Sequence, residues 1–370
     1  MSLILRWLLD LLLRLARTLD LPLLGALLAL MGIGLAVLYS AADHDAGLVL
    51  RQGAFFVAGL GAMWLLSRLP PAQLRYWTPV VFVAALVPLL LVLLIGTGKH
   101  GRHWLDLGVV YVQPAELLKL ALPMMVAWYL DRQRLPPRLR HVLIAGALIA
   151  APTGLILLQP DFGTAMLVAI SGAFVLYLAG LSWWWFAAAL GGVAAAAPVA
   201  WFWLLKPYQK DRILTFLDPE SDPLGTGWNI IQSKIAIGAG GLTGKGWGQG
   251  TQSHLNYLPE HTTDFIFAVL SEEFGWAGVA TVLALYLFVV GRCLWIASQA
   301  RDGYSRLLAG ALGLALCVYV VVNGGMIAGL LPVVGVPMPL LSYGGTSAVS
   351  LLAGLGVVMA VRAHRPIYAR

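Results

Sequence analysis

Apolar runs recur along the chain with short polar breaks between them, and ten are long enough to cross a hydrocarbon layer about 30 Å thick as helices. They fall near 21–40, 48–67, 77–95, 113–130, 141–158, 163–180, 183–205, 264–291, 306–330 and 345–361. The fourth is the least apolar, because Glu116 and Lys119 sit in its first turns. The pattern predicts an all-α polytopic membrane protein of about ten transmembrane helices, a single domain over 1–370. Ahead of the first run, Arg6, Asp10, Arg14 and Arg17 fall on one helix face, with no small-residue cleavage site after them, so residues 1–20 are expected to form an interfacial amphipathic helix.

One connection differs from the rest. Residues 206–263, between the seventh and eighth segments, are rich in Gly, Pro, Asp and Lys, yet Trp228, Ile230, Ile231, Ile235, Ile237, Trp247, Leu255 and Tyr257 give them apolar weight. Loops this long are usually functional or disordered. The apolar content predicts an ordered loop with a short helix around Gly227 to Ile237.

Composition supports the membrane reading: 60% of residues are hydrophobic and 11% charged, against about a quarter charged in soluble domains. The formal charge of +7 makes no Lys/Arg run, so it does not describe a nucleic-acid binder. With the N-terminus inside, alternating segments collect fifteen of the 24 basic residues but four of the 17 acids. That arginine bias places both termini in the cytoplasm and 206–263 outside. Cys293 and Cys317 lie in apolar runs and read as packing residues.

Charges in or beside apolar runs are candidate functional groups, because lipid makes them costly. Glu116 and Lys119, at i and i+3, can form an ion pair that either holds the helix or takes part in chemistry. Arg51 either snorkels to the interface or meets an anion. Asp264 stands at the water boundary where the eighth segment begins, either as a general base or, with Thr262 and Thr263, as a helix cap. Glu272 and Glu273, two turns further on, line an aqueous cavity or contact another helix. The run Gly238–Gly250, GAGGLTGKGWGQG, looks like a phosphate loop around Lys245, but Ala239 and Gly246 stand where that motif needs Gly and Ser or Thr. It remains a flexible connector or a backbone platform for a pyrophosphate. The last external connection, GLLPVVGVPMPLLSYGGTS from Gly329 to Ser347, is too rich in Pro and Gly for helix, and irregular backbone at membrane depth must line a cavity or be buried in protein.

Five blocks carry a family resemblance: HWLDLGVVYVQPAELLKL (103–120), QPDFGTAMLVAISG (159–172), LDPESDPLGTGWNIIQSKIAIGAGGLTGKGWGQGTQ (217–252), LPEHTTDFIFAVLSEEFG (258–275) and LLPVVGVPMPLLSYGGTS (330–347). The chain resembles the SEDS family of bacterial shape, elongation, division and sporulation proteins, and the DPESDPLG and PVVGVPMP wording favours its elongation branch. The resemblance implies an inverting peptidoglycan glycosyltransferase that polymerises lipid II at the outer face of the bacterial cytoplasmic (inner) membrane. The family's catalytic aspartate falls on Asp264. Basic residues at Arg51, Arg102 and Lys234 are expected to meet the pyrophosphate, and Glu116 with Lys119 to shape the cavity, to which Glu260 and Ser342 are added. A divalent cation, Mg2+ or Mn2+, bridging Asp264 and the diphosphate is the one cofactor considered; no nucleotide or organic cofactor is expected. Expected partners are a class B penicillin-binding protein (a transpeptidase), MreC and MreD, with no nucleic acid. The rival readings are a lipid II flippase and a non-catalytic scaffold for the transpeptidase.

Overall fold

The computed structural model describes residues 18–97, 103–106, 108, 111–204, 207–221, 226–251 and 260–364. The predicted helix over 1–20 therefore lies outside the described residues, apart from its last three. In chain order come α1 (Leu21–Ala41), α2 (Ala46–Ser67), α3 (Pro71–Ile95), the two-residue strands β1 (Leu105–Asp106) and β2 (Tyr111–Val112), α4 (Pro114–Asp131), α5 (Leu139–Leu158), α6 (Phe162–Leu178) and α7 (Trp183–Val199). The second part holds α8 (Pro207–Leu217), α9 (Thr226–Gly240), α10 (Ile266–Ser298), α11 (Gly303–Ile327) and α12 (Gly345–Ala363). All ten predicted segments are helices, and α9 is the short helix expected inside the long connection. The strands pair antiparallel, Leu105 opposite Val112, as a small hairpin before α4.

Eight of the ten helices are long and apolar enough to span a membrane on their own account. The others depend on their neighbours: α6 has 17 residues, and α4 carries Glu116, Lys119 and Asp131 but buries Leu118, Leu122 and Leu130 completely. Aspartates set four helix starts. Asp20, Asp45, Asp161 and Asp302 accept from the backbone N–H groups of Leu23, Gly47, Thr164 and Ser305 at 2.9, 2.8, 3.0 and 2.9 Å, satisfying donors that the first turn leaves open. Small residues let α2 and α12 approach closely. A Cβ on Gly356 would lie 2.5 Å from the Met63 carbonyl oxygen, and one on Gly59 would meet the Leu352 side chain at 2.5 Å.

Ion pairs tie one end of the bundle together. Asp20, fully buried, accepts from Arg292 of α10 and Arg362 of α12, each at 2.9 Å, and Arg75 of α3 meets Asp131 of α4 at 2.9 Å. All five residues belong to the segments that the arginine bias groups together. Arg362 also donates to the Leu19 carbonyl at 3.4 Å, so the two ends of the described chain meet there, which fits an even number of crossings.

Two boundaries differ from expectation, and one helix changes type near its end. α3 starts six residues early, because Pro70 at the N-cap and Pro71 behind it favour a helix start there. α7 runs into a π-helical turn, Ala200–Leu204, and none of its residues is buried. α10 begins at Ile266, extends to Ser298 and is broken at Gly275, whose φ of 61° and ψ of −159° lie outside the helical region.

Candidate active site

Asp264 lies in the turns just before α10 and is half-buried. It neither begins the helix nor takes the cap position, which belongs to Phe265 with no side-chain hydrogen bond. The first helical bond runs from Ala268 N–H to Phe265 O at 2.9 Å, leaving the Asp264 carbonyl outside the ladder. It accepts instead from the side-chain amide of Asn323 on α11, at 2.9 Å. Two residues earlier, the Thr262 carbonyl accepts from Tyr343 N–H at 2.9 Å. Glu260 turns the chain into this segment with a left-handed φ of 55°, and its carbonyl accepts from Thr263 and Phe265 N–H.

The segment from Gly329 to Gly344 has the irregular backbone expected of it and enters the bundle. Val336, Met338, Leu340, Leu341 and Ser342 are buried, and the Tyr286 hydroxyl of α10 donates to the Pro339 carbonyl. Its carbonyls come close to helices at glycines: those of Leu340 and Val334 occupy the places where Gly34 and Gly163 would carry a Cβ. Ser342 closes a turn, accepting from Met338 N–H at 2.7 Å through Oγ. Gly335 has a φ of 71°, and a Cβ there would lie 3.6 Å from Asp264 Oδ2. The segment therefore forms the wall beside the aspartate.

A cleft open in part to solvent, about 730 Å³ counting the solvent at its mouth, lies between α4, α11, α12 and the far part of this wall; its lining includes Glu116, Lys119, Tyr319, Met338, Ser342 and Ser350. Glu116 is buried and pairs with Lys119 at 2.5 Å, while its other oxygen accepts from Ser350 Oγ at 3.0 Å. The Lys119 amine also stands over the Tyr319 ring, 5.2 Å from its centre. Asp264, Lys234, Arg51 and Glu260 do not line this cavity. The expected site residues thus divide into a charged, largely apolar pocket and an aspartate-bearing face, linked by Val336 and its neighbours.

Lys234 extends from α9 across Gly329, whose φ of 69° and missing side chain make room for the lysine's end. Arg51 is exposed near the start of α2 and forms no ion pair among the described residues. Arg102 lies outside the described residues. The site's second unforeseen link, besides Asn323, is Gln52: buried on α2, it donates to the Ser342 carbonyl at 3.4 Å and accepts from Gly344 N–H at 3.1 Å. Buried amides in apolar helices are the signal that points to both.

The glycine-rich run is neither a loose connector nor a phosphate platform. Lys245 and Gly246 donate their N–H groups to the carbonyls of Glu272 and Glu273, at 3.0 and 2.9 Å. Trp276 and Ala277 donate to Gly241 and Leu242, at 2.9 and 3.0 Å. Those four groups on α10 are the ones whose helical bonds, 276 to 272 and 277 to 273, the break at Gly275 removes. The run splints the broken helix, and these N–H groups have no capacity left for a ligand. Glu272 accepts from the Lys245 amine at 2.6 Å and from Thr251 N–H and Oγ1, both at 2.9 Å. Glu273 accepts from Ser40 Oγ of α1 and from Gly248 N–H. Both glutamates are buried, so of the two expectations for them it is contact with another helix that holds, through Glu273 and α1.

The sequence and the fold match those of known proteins. The sequence profile of the FtsW/RodA/SpoVE family, described as cell cycle proteins, matches residues 17–367. The chain is 48% identical over 353 residues to the peptidoglycan glycosyltransferase MrdB of Escherichia coli strain K12, covering 95% of each. It is 39% identical to a probable peptidoglycan glycosyltransferase FtsW of Halorhodospira halophila, covering 84% of this chain and 80% of that one. Among solved structures, one described as a peptidoglycan synthase complex that coordinates polymerization and crosslinking contains a chain that superposes with a TM-score of 0.82 at 35% identity, covering 92% of this chain and 97% of that one. The rod shape determining protein RodA of Thermus thermophilus superposes with a TM-score of 0.71 at 30% identity, covering 92% and 96%. By its sequence over nearly its whole length and by its fold, the chain belongs to the FtsW/RodA/SpoVE family.

Proposed function

We propose that this chain is a RodA-type peptidoglycan glycosyltransferase that polymerises lipid II into β-1,4 glycan strands during cell elongation. Its place is the bacterial cytoplasmic membrane, with the site facing the periplasm. The observation that carries the reading is Asp264: a half-buried carboxylate beside the Gly335 wall, pinned through its own backbone, in a chain 48% identical to a named peptidoglycan glycosyltransferase.

Polymerisation needs a base and a stabilised leaving group. Asp264 accepts the proton of the acceptor sugar's 4-hydroxyl as that oxygen bonds to the anomeric carbon of the lipid-linked donor. The bond from that carbon to the diphosphate breaks, and undecaprenyl pyrophosphate leaves with the electron pair. An α-linked donor attacked in line yields a β link, with inversion. Lys234, Arg51 and Arg102 supply the positive charge for the diphosphate. Glu116, Lys119 and Ser342 shape the neighbouring pocket, and Glu260 sets the turn that carries Asp264. Among the described residues no group of three or more His, Cys, Asp and Glu side chains is gathered for a metal. Mg2+ or Mn2+ would therefore be held mainly by the diphosphate, with Asp264 as its protein carboxylate, and would supply charge neutralisation.

The partners proposed are a class B penicillin-binding protein, MreC and MreD. The first draws support from a structural neighbour described as part of a synthase complex that couples polymerization to crosslinking.

The test is glycan synthesis from lipid II by the purified chain with its transpeptidase partner, with and without divalent cation, comparing wild type with Asp264→Ala and Asp264→Asn. Strands from wild type and none from either variant, with the complex still assembled, is the expected result. Normal polymer from both variants would remove Asp264 as the base. Lipid II crossing liposomes without any polymer would establish the flippase reading instead.

A further inference from the structure

Asn323 is fully buried in the last two turns of α11, where an amide is costly unless its hydrogen bonds are made. Its Nδ2 donates twice, to the Asp264 carbonyl at 2.9 Å and to the Val336 carbonyl at 2.7 Å. Neither carbonyl is served by a helix. Asp264 precedes the first bond of α10, and Val336 belongs to the irregular wall segment. Deep in a membrane protein such groups have little water to turn to, and one side chain supplies a donor to both.

One carbonyl belongs to the candidate base itself and the other to the wall beside it. Val336 follows Gly335, the residue whose missing Cβ would lie 3.6 Å from Asp264 Oδ2. Asn323 thus sets the separation between the backbone that carries the carboxylate and the wall that faces it. The amide's own Oδ1 is buried and has no hydrogen-bond partner among the described residues. Packing alone would be served better by an apolar side chain of this shape, so the two N–H bonds account for an amide here.

We propose that Asn323 is a positioning residue for glycosyl transfer, holding Asp264 and the Gly335–Val336 bend in the register at which the acceptor hydroxyl meets the carboxylate. The proposal rests on the reading of Asp264 as the base. Asn323 touches no substrate; it acts through Asp264 and the wall.

The experiment uses the full-length chain with its transpeptidase partner in nanodiscs and lipid II as substrate. Asn323→Leu keeps the shape and removes both donors, Asn323→Ser keeps one short donor, and Asp264→Asn serves as reference. Lipid II binding stoichiometry counts the correctly folded molecules, and rates are expressed per binding-competent molecule. The expected result for Asn323→Leu is a fall in kcat of about a hundredfold with KM unchanged within about twofold, since a misplacement of about 1 Å costs that much. Asn323→Ser falls between wild type and Asn323→Leu. If Asn323→Leu binds no lipid II, the serine variant decides by the same criteria. Wild-type kcat per competent molecule, or a loss carried by KM, overturns the proposal. Failure of the underlying reading shows separately, as wild-type polymer from Asp264→Asn.

Discussion

Lys245 and Glu272 meet across the broken helix: the lysine amine lies 2.6 Å from the carboxylate, and the lysine N–H donates to the glutamate carbonyl at 3.0 Å. The glutamate side chain is wholly buried, while that of the lysine is 31% exposed. Main chain and side chain therefore hold the same junction. The run that the pair anchors precedes Asp264 in the chain.

Removing either partner of this pair has unequal consequences. Lys245→Ala leaves a buried carboxylate with Thr251 as its remaining partner among the bonds above, and is expected to cost about 2–3 kcal/mol. Glu272→Gln removes the charge and keeps an acceptor, and is expected to cost less. Thermal unfolding of the two variants in detergent checks the order, and equal losses would show that the buried charge is not what matters.

The glycines of the splint are separable from their neighbours. Gly275→Ala places a methyl 2.8 Å from the Gly240 carbonyl oxygen at a φ of 61°, and a loss of about 3 kcal/mol is expected. Gly238→Ala, on α9, meets nothing within 4 Å and is expected to gain up to about 1 kcal/mol. Unfolding midpoints measured side by side test both signs.

Asp20 joins two arginines and caps α1. Asp20→Ala uncouples three segments and leaves Arg292 and Arg362 without their shared carboxylate, a loss expected at about 3–5 kcal/mol. Asp20→Asn keeps the cap acceptor and should lose less. Polymerisation per folded molecule should be unchanged in Asp20→Asn, because this cluster lies at the other end of the bundle from Asp264. A drop in that rate would reveal coupling between the ends.

Glu116 and Lys119 distinguish a neutralising pair from a functional one. Exchanging them, Glu116→Lys with Lys119→Glu, preserves net charge but moves the carboxylate away from Ser350. The exchange is expected to retain most of the thermal stability while polymerisation falls about ten- to a hundredfold, since one charged contact to substrate is worth about 1.5–3 kcal/mol. Wild-type activity in the exchanged protein would assign the pair to holding the helices alone.

The ten spans, their order and the shared end for the chain's termini are legible in the sequence, because lipid as a solvent imposes a length on apolar runs and a bias on arginines. The Pro- and Gly-rich connection around Pro337 could also be read as buried irregular backbone, since Pro and Gly exclude helix there. Asp264 was visible as a carboxylate at a water boundary, with capping and catalysis both open.

What joins these parts was decided only by tertiary structure. Asn323 is 59 residues from Asp264 in sequence, and Gln52 is 290 from Ser342, so no local spacing records either bond. The break at Gly275 is concealed because a glycine within an apolar run also fits a continuous membrane helix. The glycine-rich run resembled an anion loop for the same reason that it serves as a splint: glycines let backbone N–H groups approach an acceptor closely. Composition supplies that capacity, but only the packing of the run against α10 selects the acceptor, because the broken helix exposes two carbonyls that must be bonded where water is scarce.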